Sequence, residues 1–542
     1  MIRDLAALSG ANERRTADVL VIGGGIAGLL AAVRLSRAGV RVIVAESGGL
    51  TQPTDTHPLN AVEQDGDVYA GADSGRFRCL GGTSSRWGGA MLPFLPDDMT
   101  LTRPGDPVWP IGPEVLTAYL GEVERLFGLG DGPYDRPALM PGPFVPRWAK
   151  WPPFRLRNVA TVFGAELRAE RGPEVWLNAT ATDFSTDPQG RLDRVTVRSP
   201  GGGILSVAAS EVVVAAGTIE STRLLLLADR QHDDRIFAPD DVLGRWFHDH
   251  VSVATARLVD VDRPALNRVV GFGFEGRAMR NLRFEPGAAL RRDRGLPAGF
   301  VHIGFSSATP GGFEALRDVY RKVQRREVPG LADVSGLARA VPWLARAAWW
   351  RFVERRLLFP DGAELAVNVV VEQRPRPDNR ITLSSQRLDA LGSPLARIAW
   401  RVHEDDAAHV AAITEAFASA WNAGRLSSLA RVVPALPTDL RGALAAGGGI
   451  YHPGGSVRMG FDPASGVVDA DLKTFRIPNV TVLSTAVFPT GGGANPTMML
   501  MMAALRAADR LSRTCAGAAV TTVATHDAQR DRDHAGTPSL VG

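Results

Sequence analysis

The clearest hydrophobic pattern lies near the start of the chain, in ADVLVIGGGIAGLLAAVRLSRAGVRVIVAESGG. Val19 to Ile22 form a continuous apolar run of buried-strand length, after which apolar residues recur at helical spacing as far as Leu35. Gly39 ends that helix, and VRVIVAE supplies a second strand closing on Glu46. Further on, GGGILSVAASEVVVAAGTIESTRLLLLA reads as a hairpin strand, a buried strand at Val212 to Ala215 and a helix opening near Thr218. The segments AELAVNVVVEQRP and NRITLS are strand-like, and NVTVLSTAVFPTGGGANPTMMLMMAALRAADRL gives a strand, a glycine loop and a helix. Met498, Met499, Met501 and Met502 in that last helix read as filling of a buried face.

These elements predict an α/β chain, α+β overall, whose nucleotide-type half is split along the sequence. The expected layout is an N-terminal extension at 1–16, one discontinuous domain from 17–255 and 445–515, and a second domain at 256–444. Residues 516–542 are polar and aperiodic, and a disordered tail is expected there.

At 542 residues the chain is too long for a single ordinary core, which agrees with two domains. Apolar residues make up 45% and charged residues 22%, the profile of a globular protein. Acids nearly balance bases, leaving a net charge of +3, and the bases are almost all arginine without clustering, so a nucleic-acid footprint is not expected. Cys79 and Cys515 cannot build a disulfide framework. There is no apolar run of signal-peptide length at the start and no stretch of roughly 18–20 uninterrupted apolar residues, so a cytoplasmic protein without stable membrane insertion is expected. LARAVPWLARAAWWRFVERRLLF mixes arginines with apolar residues as a membrane-surface helix does, but Pro342 and its small residues favour a substrate-domain helix or cavity wall.

Gly23, Gly25 and Gly28 stand at GxGxxG spacing between a strand and a helix, with Glu46 following 18 residues after the last glycine. Gly23 makes the turn, Gly25 admits a pyrophosphate to backbone N–H groups, and Gly28 lets helix and strand pack. Glu46 is placed to accept hydrogen bonds from a ribose. Either FAD or NAD satisfies these residues. Near the other end, His452 stands in YHPGGSVRMG among turn residues, and Asn495 precedes Pro496 at a helix start. An imidazole with an ordinary pKa near 6.5 suits a general base, and an amide can orient a hydroxyl without titrating. His248 and His250 invite a metal reading with His452; no Cys or Glu cluster completes such a site, and none is expected.

With GGTSSRWGG, VVVAAGTIESTRLLL, EQRPRPDNRITLS, DALGSPLARIAW, YHPGGSVRMG and VFPTGGGANPT in this order, the chain resembles the glucose–methanol–choline (GMC) family of FAD-dependent oxidoreductases across most of 17–512. The motifs are most similar to the pyranose oxidase and sugar dehydrogenase branches. The resemblance implies an FAD domain of glutathione-reductase type with an inserted substrate domain on an antiparallel sheet. It implies that His452 takes a hydroxyl proton while hydride moves to flavin N5, with Asn495 as the second catalytic residue. By motif position it also implies cofactor contacts from Gly82, Thr83, Trp87, Gly88, Gly89, Ala181, Ala216, Gly217, Ser484, Thr485, Pro496 and Thr497. Branches with covalent FAD carry a histidine where this chain has Arg86, so non-covalent FAD is expected. The implied reaction is oxidation of a hydroxyl on a sugar, polyol or glycoside, aminoglycoside-like metabolites included, with O₂ or another acceptor reoxidising the flavin. A lyase of the cyanohydrin-cleaving type, with a redox-silent flavin, is the alternative.

Overall fold

In the computed structural model, the run Val19–Ile22 is the buried end of β2 (Asn12–Ile22). Described are residues 1–534 except 9, 53, 54, 102 and most of 307–329, with side chains as far as Gly517. α1 (Ile26–Arg37) leaves β2, and β3 (Val42–Ala45) returns parallel to it, Val19 opposite Val42 and Ile22 opposite Ala45. A parallel return needs a crossover, and α1 covers one face of the sheet with Leu29, Leu30, Ala31 and Ala32 buried. The sheet runs β1 (Ile2–Asp4), β6 (Glu174–Leu177), β3, β2, β9 (Ile204–Val214), β8 (Leu192–Arg198) and β7 (Thr180–Thr186), with β18 (Val480–Val482) parallel to β9. Because β2, β3, β9 and β18 are mutually parallel, their C-terminal ends share one edge. α2 (Thr218–Gln231) leaves β9 at that edge, and α5 (Thr497–His534) packs on α1 with its four methionines buried.

A second, antiparallel sheet has the order β11 (Gly273–Glu275), β12 (Ala278–Pro286), β13 (Gly299–Ser306), β14 (Glu364–Glu372), β10 (His250–Val259) and β17 (Arg431–Pro434). The helix α4 (Glu404–Ala423) packs on it through Val410, Ile413, Phe417 and Trp421, and a second apolar core forms there. A small third sheet joins β15 (Arg380–Leu388), β16 (Pro394–Trp400) and β4 (Val62–Gly66). The architecture is mixed α/β.

Several details depart from the sequence reading. Residues 1–16 are not an appendage: β1 pairs with β6, and Asn12–Thr16 pair with Ile204–Ala208. The polar run NERRT hid this, because its alternate residues face solvent. β5 (Phe144–Trp151), inside the expected first domain, pairs along its whole length with β12 of the second sheet, and β10 begins at His250, before the expected boundary. The tail expected to be disordered continues α5 to His534, with no proline or glycine between Ala518 and His534 to stop it; 535–542 lie outside the described residues. α3 (Val341–Phe352) buries Trp343 and Trp350 and exposes Trp349 and Phe352; it is not a wall of the cavity described below. No helix among the described residues is long and apolar enough to cross a membrane.

Candidate active site

The loops that follow β2, β3, β9 and β18 enclose a cavity of about 690 Å³. Gly23, Gly25 and Glu46 line one stretch of it, and Gly82, Thr83, Trp87, Gly88 and Gly89 another. Ala216, Gly217, Ser484 and Thr485 line a third, while His452, Asn495, Pro496 and Thr497 complete the wall. Two expected contacts are absent from it. Gly28 faces the sheet, where a Cβ would stand 2.0 Å from the Gly23 carbonyl oxygen, so its role is the close packing of α1. Ala181 is buried in β7 opposite Val197; the motif position does not reveal which face of the strand its side chain takes.

At the glycine end, Gly23 adopts φ +109°, and a Cβ there would lie 2.5 Å from the Ala215 carbonyl oxygen. Gly25 caps α1 with no side-chain bond, and a Cβ on it would meet nothing within 4 Å, so no side chain crowds the N-terminal turn, whose N–H groups have no intrahelical partner. Such a terminus suits a pyrophosphate. The Glu46 carboxylate accepts from Gly24 N at 2.7 Å and Gly48 N at 2.8 Å, tying the glycine turn to the end of β3. Burial pushes its pKa up, opposed by those two N–H bonds and by the Arg78 charge. The loop carrying Gly82 lies directly on Gly25, since a Cβ on Gly82 would come 2.9 Å from the Gly25 Cα. A long cavity with an amide-lined glycine turn and a buried acid beyond it fits FAD.

The other end is built by three loops. His248 and Gly454 exchange backbone bonds, His248 N to Gly454 O at 3.2 Å and Gly454 N to His248 O at 2.9 Å. The His248 ring lies against the two glycines after Pro453: a Cβ on Gly454 would be 2.7 Å from Nε2, and one on Gly455, at φ +83°, 2.5 Å from Nδ1. Both glycines are therefore needed for close approach, and His248 is a packing residue. Asp249 Oδ1 accepts from His452 N at 2.9 Å, and its Oδ2 accepts from the Tyr69 hydroxyl at 2.6 Å. Thr485 Oγ1 donates to the Pro453 carbonyl at 2.7 Å, so the segment after β18 holds the same loop.

Asn495, at the start of α5, places its Nδ2 2.8 Å from His452 Nε2. Its Oδ1 accepts from Arg283 Nη1 at 3.0 Å. The His452 pKa is lowered well below the ordinary imidazole value, by burial first and then by His250 and the Arg283 charge. His250 is pulled down to about 4 for the same first reason. The ring is thus neutral at neutral pH, with an unprotonated nitrogen available as a base. Ligand atoms of Asp249, His250 and His452 lie within 4.8 Å of one another. This differs from the trio considered in the sequence, because Asp249 replaces His248; the Asp249 oxygens, though, already accept from Tyr69, His250 N and His452 N.

Arg283 and Asp249 were not found from the sequence. A signal existed for the first: in NLRFEP, Arg283 and Glu285 fall on one strand face, and two charged residues sharing a buried face call for partners. Asp249 stands between two histidines without any motif to mark it.

A glycine turn joined by one cavity to a neutral imidazole and a side-chain amide fits a flavin-dependent oxidoreductase. Comparison with known proteins specifies the family: residues 375–504 match GMC oxidoreductase, and residues 18–56 match the FAD binding domain. The chain thus carries a GMC oxidoreductase segment and an FAD-binding segment; it is an oxidoreductase of CH–OH donors, and FAD is its cofactor. It is 24% identical to 2-methyl-1,2-propanediol dehydrogenase of Mycolicibacterium austroafricanum, covering 92% of this chain and 95% of that one. It is 26% identical to paromamine 6'-oxidase of Streptomyces fradiae, over 92% and 91% of the two chains. In fold it is similar to pyridoxine 4-oxidase from Mesorbium loti, with TM-score 0.55 and 17% identity over 91% of this chain and 99% of that one.

Proposed function

We propose that the protein oxidises a hydroxyl group on a sugar, polyol or aminoglycoside-like glycoside, with His452 as general base and Asn495 as the residue that orients the alcohol. The carrying observation is the 2.8 Å contact between Asn495 Nδ2 and His452 Nε2 in the wall of the FAD-type cavity. Bound FAD supplies the acceptor for the hydride that leaves the carbinol carbon. An arriving hydroxyl opens the Asn495–His452 contact: its proton turns to His452 Nε2, and its oxygen accepts from Asn495 Nδ2. As the C–H bond breaks, the proton passes to Nε2, and the Asn495 amide stabilises charge on the oxygen until the carbonyl forms. The diol and paromamine oxidoreductases among its relatives fall within this substrate range.

FAD is held without a covalent bond in this reading, because Arg86 and no histidine stands before Trp87 in the cavity wall. Acid precipitation should release yellow flavin to the supernatant; a flavin-sized mass increment on a peptide would refute it. A reducing cytoplasm is the proposed setting, in keeping with two unpaired cysteines, Cys79 and Cys515. O₂ or another small acceptor completes the cycle. The direct test is anaerobic bleaching of the flavin absorbance against a panel of sugars, polyols and aminoglycosides. At least one should bleach it with formation of a carbonyl product, whereas turnover with the flavin still oxidised would favour the lyase alternative.

A further inference from the structure

The two ends of an asparagine amide have nearly the same shape, so the partner of each end decides which way it faces. At Asn495 one partner leaves no choice. Arg283 can only donate, and its Nη1 lies 3.0 Å from Oδ1, so Nδ2 is the end that meets His452. A donor directed at His452 Nε2 requires that nitrogen to be unprotonated, which puts the ring proton of the neutral imidazole on Nδ1. The reversed amide would present an oxygen to Nε2 and favour a proton there, leaving nothing to accept a proton from an alcohol.

We propose that Arg283 is a positioning residue that fixes the orientation of the Asn495 amide and, through it, the tautomer of His452. The proposal rests on the reading of His452 as the base. Arg283 is itself held rigidly. Its Nε donates to Glu285 Oε1 at 2.9 Å, its Nη2 to the Gly493 carbonyl at 3.2 Å, and its guanidinium lies over the Phe300 ring at 4.2 Å from the centroid. Arg147 Nη1 donates to the other oxygen of Glu285 at 2.8 Å, so the supporting acid is also fixed. Arg283 and Glu285 are both almost fully buried. A strand of the antiparallel sheet thereby governs the protonation geometry of a loop beyond the parallel sheet.

The test is a double-mutant cycle on the FAD-loaded enzyme, read by anaerobic flavin reduction and by ¹⁵N NMR of labelled histidine rings. Arg283→Met should slow flavin reduction by about 10²-fold, the cost of a misplaced group. In an Asn495→Ala background the same change should cost little more, because the amide it positions is gone. The Nε2 signal of His452, assigned by its loss in His452→Ala, should be unprotonated in the parent and shift toward the protonated tautomer in Arg283→Met. Arg283→Lys, which keeps the charge but loses the fork, should fall between the two. If Arg283→Met does not fold with FAD, Arg283→Met with Glu285→Gln removes the stranded acid, and the cycle is run on that pair. Equal slowing in both backgrounds, or an unchanged Nε2 signal, overturns the proposal. If His452→Ala leaves flavin reduction unchanged, the base assignment fails, and the NMR signal still decides whether Arg283 sets the tautomer.

Discussion

The two ends of the cavity are built in opposite ways. At the glycine end, Gly24 and Gly48 donate to Glu46, and both bonds lie within one strand–helix–strand unit and the turn after it. At the other end, His452 meets Asp249 from 203 residues away and Asn495 from 43, and Asn495 meets Arg283 across 212. The first end is made of backbone groups and the space left by missing side chains. The second is made of side chains whose positions depend on one another and on buried charge. A cofactor cradle of the first kind is specified locally, while a reactive centre of the second kind exists only once both sheets have formed.

Substitutions at the two ends should therefore fail differently. His452→Ala should retain FAD and fold, yet reduce its flavin about 10²–10⁴-fold more slowly with substrate; parent-like reduction would leave the histidine a turn residue only. Asn495→Ala should come next, at about 10-fold to 10²-fold, again with FAD retained. An equal loss of FAD in these two variants would erase the distinction between the ends. Glu46→Ala should do the reverse. Losing charge-assisted bonds worth about 1.5–3 kcal/mol should weaken FAD affinity, measured by flavin release on dilution, while the rate of the flavin-loaded fraction stays near that of the parent.

The smallest effect is one of pH. Because the His452 pKa is lowered, the ring is already unprotonated at pH 7, and its basic form is lost only as pH falls through that lowered value. Stopped-flow flavin reduction should be flat above the ordinary imidazole value of about 6.5 and decline on the acid side, and Asn495→Ala should keep that profile. A rate still climbing between about pH 7 and 8.5 would show a base with an unshifted or raised pKa.

The same contrast governs what the sequence reveals. Val19–Ile22, the three glycines and Glu46 were legible because strand, turn and helix periods follow each other without interruption. His452 and Asn495 were legible as residues in turn-rich and helix-start motifs, but their 2.8 Å contact was not. Arg283 and Asp249 were invisible as functional groups, since their partners lie on other elements and no local period reports a long-range bond. Gly28, expected as both a packing glycine and a cofactor contact, packs α1 closely on Gly23 and does not line the cavity. Ala181 lies buried in β7 away from the cavity lining, a placement that motif position could not give because it carries no facing information. The pairing of Phe144–Trp151 with β12 escaped for a related reason: periodicity identifies a strand and says nothing of its neighbour.

That strand also limits how the molecule can be divided. β5 meets β12 from Phe144 opposite Pro286 to Trp151 opposite Met279. A fragment cut at 256–444 would lose this neighbour and expose the β12 backbone along its length. Open strand edges recruit other chains, so such a fragment should aggregate when expressed alone. Supplying Phe144–Trp151 through a linker would restore the neighbour. Protein engineers seeking to graft the antiparallel sheet onto another flavoprotein must carry that segment with it, because the two sheets are stitched together rather than joined at two hinges.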